Sequence, residues 1–254
     1  MKGSVANTSP GKARVGGILA MCFFLGVSGV VDTLSAARAA PGSGSSPNEA
    51  ETYYPLAAGR TWSYGMTMRQ GNEANAGSTQ LSRKVTNLPA QQFEDSTVTP
   101  QQYEMPGQLS NDLVAAVNDG VAEMATQPDP GASPIPLRPP NYVLKLPLTV
   151  GKSWQATWQS QQFAHTTPIP MTKTVALNDG KIRVPAGDFD GLLMLRIDGH
   201  GPVSAPGGPV DVRVVGEEWF KRDIGLIRGS FHEEVQGYPD NASSVDLDLT
   251  EYHS

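Results

Sequence analysis

Residues Tyr53 to Met68 read YYPLAAGRTWSYGMTM, and the second half of that stretch decides the fold. Trp62, Tyr64, Met66 and Met68 fall on one side of an extended chain, and Thr61, Ser63, Gly65 and Thr67 on the other. Successive side chains of a strand point to opposite faces, so this alternation predicts a half-buried strand. It returns at Val210, Val212 and Val214 against Asp211 and Arg213, and at Val245, Leu247 and Leu249 against Asp246 and Asp248. The first half of the stretch prepares the strand. Pro55 stiffens an extended approach, Gly59 permits a sharp reversal, and Trp62 begins the buried face.

The same lead-in occurs a second time. Tyr54-Pro55-Leu56-Ala57-Ala58-Gly59-Arg60-Thr61-Trp62 matches Leu146-Pro147-Leu148-Thr149-Val150-Gly151-Lys152-Ser153-Trp154 in register, at an offset of 92 residues. Proline, leucine, glycine, a base, a hydroxyl and tryptophan all recur, and alternation continues after each tryptophan. Two equivalent lead-ins predict two related halves closing one curved antiparallel sheet or partly open barrel, a mainly β fold.

Turn chemistry agrees. Asn-Asp-Gly at Asn118–Gly120 and at Asn178–Gly180 stands each time between apolar runs, which predicts tight hairpins. Pro185-Ala186-Gly187 divides a strand ending at Val184 from the apolar run Leu192–Ile197, and Asp188-Phe189-Asp190-Gly191 reads as a further turn. Leu109–Ala125 fits a hairpin better than a helix, although Leu113, Val114, Val117 and Val121 can share a helical face. Residues 128–140 carry six prolines in thirteen positions, so they cannot form a central strand and are expected to be an exposed crossover.

The first 39 residues read differently. Lys2, Lys12 and Arg14 precede an apolar run from Val15 to Val31, and Ala37-Arg38-Ala39 follows with small residues at the last and third-last positions. That order predicts an export signal cleaved after Ala39, with an uncleaved anchor as the alternative. Cys22 lies in the middle of the apolar run, where a lipid-modified cysteine does not belong. Residues 40–52 (APGSGSSPNEAET) read as a flexible tether, and 53–254 as a single β-rich domain.

Removing residues 1–39 changes the composition. The remaining 215 residues hold no cysteine, 15 Lys and Arg against 24 Asp and Glu, and net charge −9 in place of −6. No disulfide is expected although export brings an oxidising compartment. An acidic chain without a basic cluster repels the phosphates of nucleic acids and anionic lipids, so neither nucleic acid nor stable membrane insertion after signal cleavage is expected.

Four motifs in order carry a resemblance: Y-x-P-L-x-x-G-x-x-W-x-Y at Tyr53–Tyr64, L-P-L-x-x-G-K-S-W at Leu146–Trp154, V-P-A-G-x-F at Val184–Phe189, and E-W-F followed by G-L-I-R at Glu218–Phe220 and Gly225–Arg228. Together they resemble the exported bacterial proteins of unknown function grouped with the TapB-like family, across Tyr53 to about Tyr252. The resemblance implies a β-rich exported domain and brings no activity with it. The proline-rich insert and the lack of a lipidated cysteine depart from the pattern.

Catalytic material is sparse. His165, His200, His232 and His253 show neither H-x-H nor H-E-x-x-H spacing, no G-x-S-x-G elbow exists, and no metal or cofactor is predicted. His232 and Glu234 share a strand face and are the best centre for an alternative hydrolase reading, although a solvated polar face explains them. Trp62, Tyr64, Trp154, Trp158, Trp219 and Phe220 either line an apolar cavity or fill a solid core. The expectation is a non-enzymatic exported domain of the bacterial envelope that binds an apolar small molecule or a partner protein. A structural or adhesion element, associating through a bare sheet edge, is the other alternative.

Overall fold

The computed structural model describes residues 48–71, 77–160, 168–205, 208–238 and 241–254. The proposed signal, its cleavage site and residues 40–47 lie outside the described residues, as does His165. Among the described residues no helix is long and apolar enough to cross a membrane.

Twelve strands follow one another around a curved antiparallel sheet. In chain order they are β1 (Thr61–Gln70), β2 (Gly77–Asn87), β4 (Ser96–Met105), β5 (Gln108–Val117), β6 (Gly120–Gln127), β7 (Ile135–Lys145), β8 (Ser153–Trp158), β9 (Ile169–Val184), β10 (Gly187–Ala205), β11 (Gly208–Lys221), β12 (Gly225–Val235) and β13 (Ser243–His253). A short β3 (Gln91–Phe93) pairs only with β4. The first and last strands zip together, Trp62 opposite Tyr252 and Gln70 opposite Ser243, so the sheet nearly closes into a barrel. One junction, between β7 and β8, has no backbone ladder. Side chains bridge it: Trp154 Nε1 donates to the Tyr142 carbonyl at 3.2 Å, and the Thr157 amide donates to Asn141 Oδ1 at 3.0 Å.

The predicted alternation builds the interior. Trp62, Tyr64 and Met66 from β1 join Val245, Leu247 and Leu249 from β13 and Leu193, Leu195 and Ile197 from β10 in one large apolar cluster. The two lead-ins are the same device. Gly59 at φ +87° and Gly151 at φ +90° each reverse the chain in a conformation that side chains resist. Gly59 donates to the Asn87 carbonyl and the Asn87 amide to the Arg60 carbonyl; Gly151 and Lys152 repeat both bonds with Val175, all four at 2.8–3.0 Å.

Leu109–Ala125 forms the β5–β6 hairpin, turning at Asn118-Asp119. Four expectations need correction. Asn178-Asp179-Gly180 is not a turn: β9 runs through it, and the pairing with β10 slips between Phe189 and Leu195. Asp188–Gly191 lies in the same irregular part of the ribbon. A tolerant Asp-Gly step serves a bulge as well as a turn. Second, residues 128–140 are not wholly a crossover, because Ile135 and Pro136 already pair with β6. The prolines are tolerated because β7 is an edge strand with interrupted register. Third, part of the proposed tether is folded. Asn48 caps α1 (Glu49–Tyr53) through a capping box, its side chain accepting from the Glu51 amide. Fourth, the domain therefore begins before Tyr53, with Ala50 and Tyr53 buried. Asn48 Nδ2 donates to the carbonyls of Val117 and Gly120, and Arg222 reaches Glu49 and Thr52, so α1 closes one end of the barrel.

Candidate functional site

Five ionisable side chains from five strands line one interior cavity of about 240 Å³: Arg83 on β2, Asp112 on β5, Glu123 on β6, Lys173 on β9 and Glu218 on β11. The rest of its wall is largely apolar, with Met66, Met105 and Met171, Leu137, Phe220, Phe231 and Leu247. On the side away from α1 it reaches Gln127, Pro128 and Gln159, next to the β6–β7 and β8–β9 connections. A smaller void of about 70 Å³ continues inward between Tyr54, Trp62, Tyr64 and Tyr103.

The charges are arranged, not scattered. Lys173 Nζ lies 2.8 Å from Glu218 Oε2, with 6% and 13% of the two side chains exposed. Asn141 Nδ2 donates to Glu123 Oε2 at 2.8 Å while its Oδ1 holds β8, so one side chain links the seam to the cavity. The Arg83 guanidinium lies 4.2 Å over the Tyr103 ring. Tyr54 and Tyr103 both donate to Gln101 Oε1, and Gln101 Nε2 donates to Asn87 Oδ1 at 2.9 Å. Asn87 in turn donates to the carbonyls of Pro55 and Ala57, which fixes the first lead-in from inside.

Burial, followed by the adjacent Glu123 carboxylate, pushes Asp112 up to about 8, against the pull of Arg83 and Tyr103. Glu123 is also raised, by burial first, although the Asn141 hydrogen bond and Lys173 favour its charged form. Burial likewise raises the Tyr54, Tyr64 and Tyr103 hydroxyls, which stay neutral donors.

The six aromatic candidates separate. Trp158 and Phe220 line the main cavity, and Trp62 and Tyr64 the smaller void. Trp158 is held in place by stacking on Phe231 at 4.6 Å and by donating to Glu233 Oε1 at 2.6 Å. Trp154 is buried in the same cluster but is spent on the seam, bonded to Tyr142. Trp219 follows Glu218, whose side chain points inward, so Trp219 faces out and lies against Gly180, where a Cβ would come within 2.5 Å of its ring.

No family model matches the chain, and no curated protein matches it. Two solved structures are similar over 80% of this chain. One is a Bacteroides fragilis protein described as exported, with a YmcC-like fold, at 9% identity, TM-score 0.39 and 99% of its own length. The other is a Parabacteroides distasonis protein described as a lipoprotein, at 13% identity, TM-score 0.37 and 98% of its length.

His232 and Glu234 sit elsewhere. They lie side by side on the outer face of β12, with 42% and 57% of their side chains exposed and Nε2 to Oε1 at 3.4 Å. Around them a broad surface groove collects Arg69, His200, Arg213 and Asp246.

Sequence reasoning missed all five charges of the cavity wall, yet a signal existed for four of them. Arg83 is in phase with Leu81 and Val85, Glu123 with Val121, Lys173 with Met171 and Val175, and Glu218 with Phe220. A charge at period two with apolar neighbours belongs to the inward face.

Proposed function

We propose that this chain is a non-enzymatic domain exported to a bacterial envelope, and that the barrel interior takes up a small molecule with an apolar body and a polar head. The cavity of about 240 Å³ carries the reading, because its wall is divided between apolar side chains and ionisable groups. A binding site combines an apolar lining with a few placed polar groups, and this volume, below the roughly 300–1,000 Å³ of sites for drug-sized ligands, suits a small one. Three lining methionines add adaptability. The order of charge, apolar run and small residues before position 40 supports export.

What favours the interior over the His232–Glu234 pair is enclosure: the outer pair stands in solvent, where neither group gains much electrostatic leverage. What favours it over adhesion through a sheet edge is that the two edge strands, β7 and β8, are engaged with each other by side-chain bonds.

The test is native mass spectrometry of the protein purified from its own envelope fraction. A small-molecule adduct that disappears on organic extraction, and fails to form when Met105→Trp fills the cavity, is the expected result. A bare chain mass, together with no uptake of apolar probes by the extracted protein, overturns the reading.

A further inference from the structure

We infer that the small molecule enters sideways, through the unladdered junction of β7 and β8, and that Asn141 is the latch of this gate. The inference rests on the cavity reading above and supplies the route into that site.

The moving part is residues 137–141 of β7. Pro136 pairs with Ala125 of β6 and Asn141 with Glu123, but residues 137–140 between them have no partner in the β6 ladder. Towards β8 there is no ladder at all among the described residues. Pro139 and Pro140 have no N–H to give, so the segment is held by its ends and its side chains. Asn141 accepts from the Thr157 amide at 3.0 Å and donates to Glu123 at 2.8 Å, and Arg138 pairs at the surface with Glu94. The facing strand is fixed more firmly. β8 pairs with β9 in unbroken register from Ser153 to Trp158, and Trp158 and Ser160 both donate to Glu233 of β12. Opening therefore moves β7 away from β8, and not the reverse.

The junction leads straight to the cavity. Leu137, Asn141 and Val143 from β7 and Thr157 and Trp158 from β8 line its wall, so parting the two strands exposes interior surface. The other end of the junction is shut: the connection carries the buried Leu148, and Gly151 and Lys152 exchange backbone bonds with Val175. Trp154 bonds to Tyr142 between that connection and Asn141. Among the described residues Asn141 thus makes the last bond across the junction before the unpaired segment, where a strand pair peels first. A gate that must open before binding limits the association rate and leaves the affinity to the site.

Fluorine NMR of 4-fluorotoluene exchanging with the purified, extracted protein measures the rates; a single aromatic ring suits a cavity of about 240 Å³. In the wild type the entry rate should level off as probe concentration rises, because opening comes first. Asn141→Ala should raise the association rate constant about tenfold or more, whereas loss of a mere lining contact raises only the dissociation rate. Asn141→Cys with Thr157→Cys, in a chain with no other cysteine after residue 39, should slow entry by about tenfold or more when oxidised and release it on reduction. Arg69→Ala, which removes an ion pair with Asp246 across the laddered β1–β13 junction, should change neither rate. Wild-type entry that rises linearly with concentration, an association rate left unchanged by Asn141→Ala or raised equally by Arg69→Ala, or unimpeded entry into the oxidised pair overturns the gate and leaves the cavity standing. No binding to any of these proteins overturns the cavity reading and the gate with it. The wild-type concentration dependence needs no variant, so one that fails to fold does not obscure the answer.

Discussion

Replacing Asp112 by asparagine measures what an interior charge costs this barrel. Asp112 faces Glu123, Arg83 and Tyr103, and its remaining free surface opens on the cavity. In the folded chain its carboxyl titrates at about 8 where an ordinary aspartate titrates at 3.8. Between those values the folded protein holds a proton that the unfolded chain has released. Stability from this group is therefore complete below the lower value and lost as pH rises through the upper one. The window spans roughly four pH decades, and at about 1.4 kcal/mol per decade the full loss is on the order of 5 kcal/mol, less in proportion as water fills the cavity. Asparagine keeps the shape and cannot ionise. Urea denaturation followed by tryptophan fluorescence at pH 4, 7 and 9 should find the two proteins close together at pH 4 and the variant more stable by several kcal/mol at pH 9. Glu123, raised in the same direction, leaves a residual slope in both. Parallel stability curves, or a variant less stable at pH 9, would refute the argument.

Other consequences follow from the geometry. Gly59→Ala and Gly151→Ala meet no neighbour within 4 Å but must hold positive φ, so each should cost about 1–2 kcal/mol, and equally, in urea unfolding. Asn87→Ala strips the part-buried Pro55 and Ala57 carbonyls and the buried Gln101 of their partner, and the same assay should show a loss of about 2–3 kcal/mol. Asn141→Ala frees the Thr157 amide, whose hydrogen exchange should accelerate at least tenfold while the Trp62 amide in the β1–β13 ladder keeps its protection.

The sequence announces the sheet and hides the site, for one physical reason. Large apolar residues at period two leave no other fold for Trp62–Met66 or Val245–Leu249, and the repeated proline-glycine-tryptophan device marks where strands begin. For charged residues the same phase is overruled, because the prior for any Lys, Glu or Asp is the solvent side. Lys173 and Glu218 break that prior as a pair, each making the other's burial tolerable, and pairing across 45 residues is invisible without the fold. Asp112 and Glu123 are further concealed by register slips at Leu113/Val114 and Glu123/Ala125, which change phase beside them. Trp219 fails in the opposite sense. A large aromatic next to Phe220 looks interior, yet neighbours on a strand cannot share a face.

The echo at 92 residues also explains where the barrel stays open. Set β1 on β8 and continue in chain order: β2, β4, β5, β6 and β7 correspond to β9, β10, β11, β12 and β13, six strands in each half. Under that correspondence the junction of β13 with β1 is the counterpart of the junction of β7 with β8. One is sealed by a ladder from Thr61–His253 to Gln70–Ser243; the other carries no ladder. The difference lies in the strands themselves. β7 contains Pro136, Pro139 and Pro140, which have no N–H to offer, and β8 spans only Ser153–Trp158 where β1 spans Thr61–Gln70. Side chains then replace the missing backbone bonds, and the one that does so from β7, Asn141, also holds Glu123. The junction at which the two halves depart from each other is thus the one whose closure is tied to the charged wall of the cavity.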